Sequence, residues 1–208
     1  MEDLLRDLSD LKKTKLKALI DTRLEEFRQV GTGCDADIFN EMSFCMLTAN
    51  FNAERAMKIQ NEIGKGFADL DEKGLAGRLK ELGYRYPNAR AGFIVEARKH
   101  RGQLKKTMAT LHDQKELRAW IVMNVKGLGY KEASHFLRNI GFDDLAIIDF
   151  HIVDILERHG IVKKPKTMTP KRYMEIEGKL REMGEKAGMS LAELDLYMWW
   201  METRKVLK

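Results

Sequence analysis

The feature that most constrains this chain is a helical hydrophobic period running nearly end to end. From Leu4 through Leu8, Leu11, Leu16, Leu19, Ile20, Leu24 and Phe27, apolar residues mostly recur three to five positions apart, with charges between them. This predicts one long amphipathic helix or two, ending at Gly31-Thr32-Gly33, where two glycines favour a turn. Ile38 to Phe51 predicts a central helix buried on several sides. Further helices are expected over Ala53 to Ile63, Glu72 to Leu82, Ala89 to Arg101, Gln114 to Val125, Lys131 to Asn139, Phe150 to His159, Pro170 to Met183 and Leu191 to Val206. No segment alternates apolar and polar residues with period two, as a half-buried strand would. The expected fold class is therefore all-α.

Composition narrows the class further. With 44% hydrophobic and 33% charged positions and three prolines, the chain is neither disordered nor collagen-like. Its 208 residues suffice to bury a core without a metal or disulfide framework. Cys34 and Cys45 are too few for a four-cysteine zinc or iron–sulfur site, and beside 12 methionines they read as thiols of a reducing interior. No run of about 18 apolar residues exists, and the acidic start does not resemble a signal peptide. A soluble, cytoplasmic protein with no membrane partner is expected. Lys and Arg total 37 against 32 acids, a formal +5 that permits a polyanionic partner without requiring one.

Two loops punctuate the helices. In Gly83-Tyr84-Arg85-Tyr86-Pro87-Asn88, Pro87 pushes Tyr86 towards an extended conformation and Asn88 is a candidate helix cap. Lys163 to Pro170 forms a basic loop that ends in a proline at a helix start. Neither is long enough to link domains, so residues 1–208 are expected to form a single unit.

The informative segment lies at about residues 114–140, where Lys126-Gly127-Leu128-Gly129-Tyr130-Lys131 joins two apolar-periodic helices. Two helices joined by Gly-x-Gly make a helix–hairpin–helix. The glycines allow a tight turn with positive φ and let a ligand approach the backbone. The amides of Gly127, Leu128 and Gly129 would then point outward beside a helix N-terminus, where a phosphate is favoured, giving a sequence-independent grip on a DNA backbone. An ordinary turn between helices has the same spacing. Lys131 falls in the first turn of the second helix, where the dipole and nearby Lys126 disfavour its protonated form. A neutral lysine is a nucleophile able to form a Schiff base, although lysines in such places are more often solvated. Asp149 ends the apolar run Leu145-Ala146-Ile147-Ile148 at the start of the next helix. It is a natural N-cap, and the same placement would hold an anion beside a developing oxocarbenium ion.

Lys126 to Asn139, followed by Asp149, resembles the helix–hairpin–helix and Gly-Pro-Asp motif of base-excision DNA glycosylases, with Ile148 in place of the proline. The chain is similar over nearly its whole length to the archaeal-type 8-oxoguanine DNA glycosylase/AP lyases, the second Ogg family. The similar stretches include Leu47-Thr48-Ala49-Asn50, Tyr84 to Ala91, Phe93 to Arg98 and Asp195-Leu196-Tyr197-Met198-Trp199. The resemblance implies two interlocked all-α lobes with a cleft between them and no β-rich amino-terminal domain. It also implies that Lys131 is the Schiff-base nucleophile and Asp149 the catalytic carboxylate. Cluster-bearing relatives end in four cysteines, whereas none follows Cys45 here. Monofunctional relatives lack the motif lysine, so its presence implies base removal combined with strand cleavage.

The implied course is flipping of the damaged nucleotide, attack of neutral Lys131 at C1′, loss of the base, an imine, and β-elimination of the 3′ phosphate. Trp199 and, opposite it, Tyr86 are the candidate stacking walls. Trp200 is the less favoured neighbour. 8-Oxoguanine differs from guanine by an O8 carbonyl and an N7–H donor, and the resemblance assigns that choice to the last residue, Lys208, with its carboxylate. No cofactor or metal is expected, since His100, His112, His135, His151 and His159 have no tight ligand spacing. His151 is either a support for Asp149 or an ordinary satisfied histidine. The expected partner is double-stranded DNA containing 8-oxoguanine, bound by a monomer in the cytoplasm, associated with the nucleoid of a prokaryote. Lys99-His100-Arg101, Lys105-Lys106, Lys163 to Lys166 and Lys171-Arg172 are basic patches able to follow phosphates. Two alternatives are a glycosylase for a different damaged base and a non-catalytic helix–hairpin–helix DNA-binding protein, which would have no use for Lys131 and Asp149 together.

Overall fold

A computed structural model describes residues 1–208. It contains thirteen α-helices and no strand: α1 Glu2–Lys12, α2 Leu16–Thr32, α3 Asp35–Leu47, α4 Ala53–Ile63, α5 Gly66–Asp69, α6 Glu72–Glu81, α7 Pro87–Ala97, α8 Leu104–Thr110, α9 Gln114–Asn124, α10 Tyr130–Asn139, α11 Phe150–Arg158, α12 Pro170–Ala187 and α13 Leu191–Thr203. A single 3₁₀ turn, Arg98–His100, follows α7. The all-α expectation is met. The amino-terminal periodic stretch is two helices, because the Thr14 hydroxyl bonds the Leu11 carbonyl at 2.7 Å and accepts from the Leu16 amide at 3.2 Å, closing one helix and opening the next. Helices α5 and α8 are additions to the expected set, being too short to show a period. No helix is long and apolar enough to cross a membrane.

The chain divides into two compact units, Gln29–Phe136 on one side and Met1–Arg28 with Leu137–Lys208 on the other. In the first, α3 is the core helix, with Ile38, Phe39, Met42, Phe44, Cys45, Met46 and Leu47 buried. It stops at Leu47, short of the expected Phe51, and Asn50 takes a left-handed φ of 56°. The freed Leu47 carbonyl accepts the buried Tyr84 hydroxyl at 2.9 Å, and that hydroxyl accepts from Arg90 at 3.0 Å. Burial raises the Tyr84 pKa.

In the second unit α13 is buried nearly all round from Leu191 to Met198. It ends at Thr203 because Arg204 adopts a left-handed conformation. Within this apolar helix, Asp195 pairs with Arg138, both almost fully buried, and the guanidinium also donates to Asn139 at 2.8 and 3.0 Å. Its carbon lies 4.9 Å from the Phe27 ring centre. One charged group thus ties α13 to the end of α10 and to α2. Replacing Asp195 with Ala strands a buried cation, so thermal or chemical unfolding should show a loss of about 3–5 kcal/mol.

Candidate active site

The hairpin belongs to the Gln29–Phe136 unit. Asp113 caps α9, accepting from the Lys115 and Glu116 amides at 2.7 and 3.0 Å. Helix α9 ends at Asn124, whose carbonyl lies 2.9 Å from His100 Nε2. Val125 and Leu128 then point inward and are buried. Gly127 has φ 92°, and a Cβ there would meet the Phe93 ring at 2.6 Å. Only Gly127 of the two hairpin glycines has positive φ, and packing against Phe93 already requires it. The Leu128 amide, expected to face outward, instead donates to the Val125 carbonyl at 3.3 Å, closing the turn. Gly129 opens α10, its carbonyl accepting from Ala133 at 2.9 Å. The amides of Gly127 and Gly129 are engaged by no hydrogen bond within the chain.

Lys131 sits in the first turn of α10, three-quarters buried, with its ammonium 3.9 Å from the Glu132 carboxylate. Lys126 is turned instead to Glu96, 3.7 Å away, and lies 5.7 Å from the Phe93 ring centre. The charge beside Lys131 is thus an acid and not the expected second lysine. The rest of α10 is fixed from below. Arg118, fully buried, donates to Ser134 at 3.1 Å and lies 5.5 Å from the Tyr130 ring centre. His135, four residues after Lys131 on the same helix face, places Nδ1 3.4 Å from the Thr48 hydroxyl and meets Phe44 edge-on at 5.8 Å.

Asp149 belongs to the second unit. It caps α11, accepting the Ile152 amide at 3.0 Å from an extended backbone. Leu145, Ala146, Ile147 and Ile148, which lead to it, are all buried. Their backbone is held by α12: Ala146 N–H donates to Glu177 at 3.0 Å, Ile148 N–H to the Tyr173 hydroxyl at 3.3 Å, and that hydroxyl donates to the Ala146 carbonyl at 2.7 Å. Sequence reasoning missed Tyr173 and Glu177, whose only signal was a polar pair four apart on an amphipathic helix.

Trp199 reaches the start of α11. Its ring meets His151 edge-on at 5.0 Å, His151 stacks on Phe150 at 3.9 Å, and the indole N–H is buried without an acceptor. Trp200 is occupied by the Arg204 guanidinium 4.5 Å from its ring centre. Asp149, His151 and Trp199 therefore share one neighbourhood. Beyond Arg204 the final residues Val206, Leu207 and Lys208 are half-buried. Tyr86, in the other unit, is 49% exposed, with the Arg85 guanidinium 4.9 Å from its ring centre. Its φ of −127° and ψ of 62° depart from the expected extended conformation. Helix α7 begins at Pro87, so Tyr86 and not Asn88 holds the cap position. Proline arrives with the φ of a first helical residue and starts the helix itself.

The Gly-x-Gly hairpin between α9 and α10 is the element expected of a helix–hairpin–helix protein of the DNA glycosylase type. Residues 20–189 match the family described as 8-oxoguanine DNA glycosylase, and the chain belongs to that family. It is 48% identical to an 8-oxoguanine DNA glycosylase/AP lyase of Korarchaeum cryptofilum, with 100% of this chain and 99% of the relative covered. It is 45% identical to one of Methanocaldococcus jannaschii over 99% of both chains. The crystal structure of the Methanocaldococcus jannaschii 8-oxoguanine glycosylase/lyase with a 15mer DNA containing 8-oxoguanine matches with a TM-score of 0.96 at 44% identity, covering 99% of both chains. That of the Thermotoga maritima 8-oxoguanine DNA glycosylase matches with a TM-score of 0.94 at 45% identity, covering 100% of this chain and 99% of that one.

The two hairpin glycines should differ in tolerance. Gly127→Ala combines a disfavoured φ with a ring clash and should cost about 1–3 kcal/mol or more in chemical denaturation. Gly129→Ala, facing only the mobile end of Glu132 at 3.3 Å, should cost clearly less.

Proposed function

We propose that this chain excises 8-oxoguanine from double-stranded DNA and then cleaves the strand at the abasic site, with Lys131 as nucleophile and Asp149 as the assisting carboxylate. The observation that carries the reading is the hairpin: two unengaged amides, Gly127 and Gly129, beside a helix N-terminus, with Lys131 in the first turn of that helix. Those amides bind a phosphate of the DNA backbone and set the register of the duplex. Leu128 contributes its side chain to the hairpin core and supports them.

The damaged nucleotide is flipped out of the stack, because its C1′ is inaccessible within a duplex. The amine of Lys131 attacks C1′ as the C1′–N9 bond breaks, and the base departs with the bonding electrons and takes up the proton that the alkylated amine releases. Asp149 stabilises the positive charge that develops on the sugar. The sugar ring opens to an imine on Lys131, loss of a C2′ proton expels the 3′ phosphate, and water releases the lysine. Trp199 stacks on the extruded base, and Tyr86, exposed at the start of α7, is the second aromatic contact. Lys208 selects 8-oxoguanine over guanine through the N7–H donor that guanine lacks. A site built to accept that donor rejects a base without it. The enzyme acts as a monomer in the cytoplasm, alongside the chromosome, and needs no cofactor.

Borohydride added during turnover of an 8-oxoguanine duplex should trap a covalent protein–DNA adduct, and Lys131→Gln should abolish it. No adduct with the unmodified protein, or an undiminished one with the variant, removes Lys131 from the role. Adducts on another damaged base but none on 8-oxoguanine would reassign the substrate. Deleting Lys208 should reduce the ratio of 8-oxoguanine to guanine excision more than it weakens duplex affinity; equal losses would exclude a selective role.

A further inference from the structure

Residues 145–148, which deliver Asp149, are buried and lie in no helix, no strand lies beside them, and their hydrogen bonds to side chains at alternate residues are those of an extended chain. Reading along α12, Arg181 donates to both the carboxylate and the carbonyl of Asp144, Glu177 accepts from Ala146 N–H, and Tyr173 bonds Ala146 and Ile148. The three side chains stand four residues apart, one turn each, on a single face of α12. Their partners stand two residues apart, at 144, 146 and 148. Four helical residues rise about 6 Å and two extended residues about 6.6 Å, so the two repeats stay in step. Tyr173 and Glu177 are 2% and 3% exposed. The helix thus supplies, through side chains, the ladder that a neighbouring strand would provide, and the ladder ends one residue before Asp149.

We propose that Tyr173 and Glu177 are positioning residues for Asp149: they fix the backbone from 146 to 148 and so set where the Asp149 carboxylate stands. Asp149 needs this support because one of its oxygens is already bound to the Ile152 amide, so its placement follows the backbone on both sides. Tyr173 uses its hydroxyl as donor and acceptor at once, a double function phenylalanine cannot supply while filling the same space. Glu177 serves as acceptor, a role an amide oxygen retains. The inference rests on the assignment of Asp149 above.

The test compares the full-length Tyr173→Phe, Glu177→Leu, Glu177→Gln and Asp149→Asn proteins and the Tyr173→Phe/Asp149→Asn double variant. Each is measured for single-turnover excision from an 8-oxoguanine duplex and for affinity towards a duplex carrying a tetrahydrofuran abasic analogue. Tyr173→Phe and Glu177→Leu should slow excision by about 10- to 100-fold while affinity changes by no more than about twofold. Glu177→Gln should recover most of the rate lost in Glu177→Leu. Tyr173→Phe should add nothing to Asp149→Asn, since a carboxylate that is absent cannot be misplaced. Normal excision by Tyr173→Phe and Glu177→Leu alongside slow Asp149→Asn would overturn the positioning role and leave Asp149 assigned. The positioning role is equally overturned if Tyr173→Phe slows the Asp149→Asn protein as much as it slows the original. Full activity of Asp149→Asn would instead remove the assignment of Asp149, and this inference with it.

Discussion

Buried backbone must be hydrogen-bonded, and in an all-helical protein the requirement is hardest to meet where the chain is extended and has no sheet to join. Residues 144–148 pose that problem, and α12 solves it with Tyr173, Glu177 and Arg181. Much of the second unit follows from this arrangement. With its backbone bonded in this way, the segment buries all four of its apolar side chains, Leu145 to Ile148. Because it ends at a fixed point, Asp149 arrives in the conformation that caps α11, and α11 begins with His151 against Trp199. The Arg138–Asp195 pair secures the helix that carries Trp199 from one turn earlier, since Asp195 and Trp199 are four residues apart on the same face.

The hairpin unit answers a different constraint by steric means. The turn after α9 has to pass over Phe93, which leaves no room for a side chain at Gly127. Leu128 is driven inward and its amide closes the turn, so the hairpin presents two free amides and not three. Arg118 and His135 then hold α10 from beneath through Ser134 and Thr48. The buried polar residues Arg118 and His135 are here the scaffold, and the hairpin leaves outward two backbone amides and Lys126, with Lys131 only partly exposed.

What is legible in the sequence divides along the same physical line. Helices longer than about ten residues announce themselves through period, and the hairpin, Lys131 and the capping Asp149 can be placed because glycine and cap chemistry are local. Local reasoning fails where a partner distant in sequence decides the outcome. Nothing near Gly127 reveals Phe93, 34 residues earlier, and nothing near Ala146 reveals Glu177, 31 residues later. Tyr86 departs from its expected conformation for a related reason: proline restrains the residue before it, but the start of α7 at Pro87 makes Tyr86 a cap position with ψ 62°. Helices α5 and α8, of four and seven residues, escape notice because a period cannot be read over one or two turns.

In a fold without strands, the backbone donors left for a ligand are those of loops and helix first turns, because every later N–H is committed to the helix. Several of the candidate residues stand there, Gly129 and Lys131 at the start of α10, Asp149 at the start of α11 and Tyr86 at the start of α7, whereas Trp199 and Lys208 lie at the far end of α13 and beyond it. Two of these termini have opposite electrostatic roles. At α11 the positive end of the helix is met by the Asp149 carboxylate, so that end is satisfied internally. At α10 no side-chain acceptor occupies the Gly127 and Gly129 amides, and the terminus is open to an anion from outside. Under the proposed function, the open terminus at α10 is the one that would receive a DNA phosphate, and the Asp149 carboxylate at α11 is the one that would face the sugar. In that reading, the difference between a cap supplied by the chain and one left for a ligand is what separates binding a backbone from stabilising a transition state.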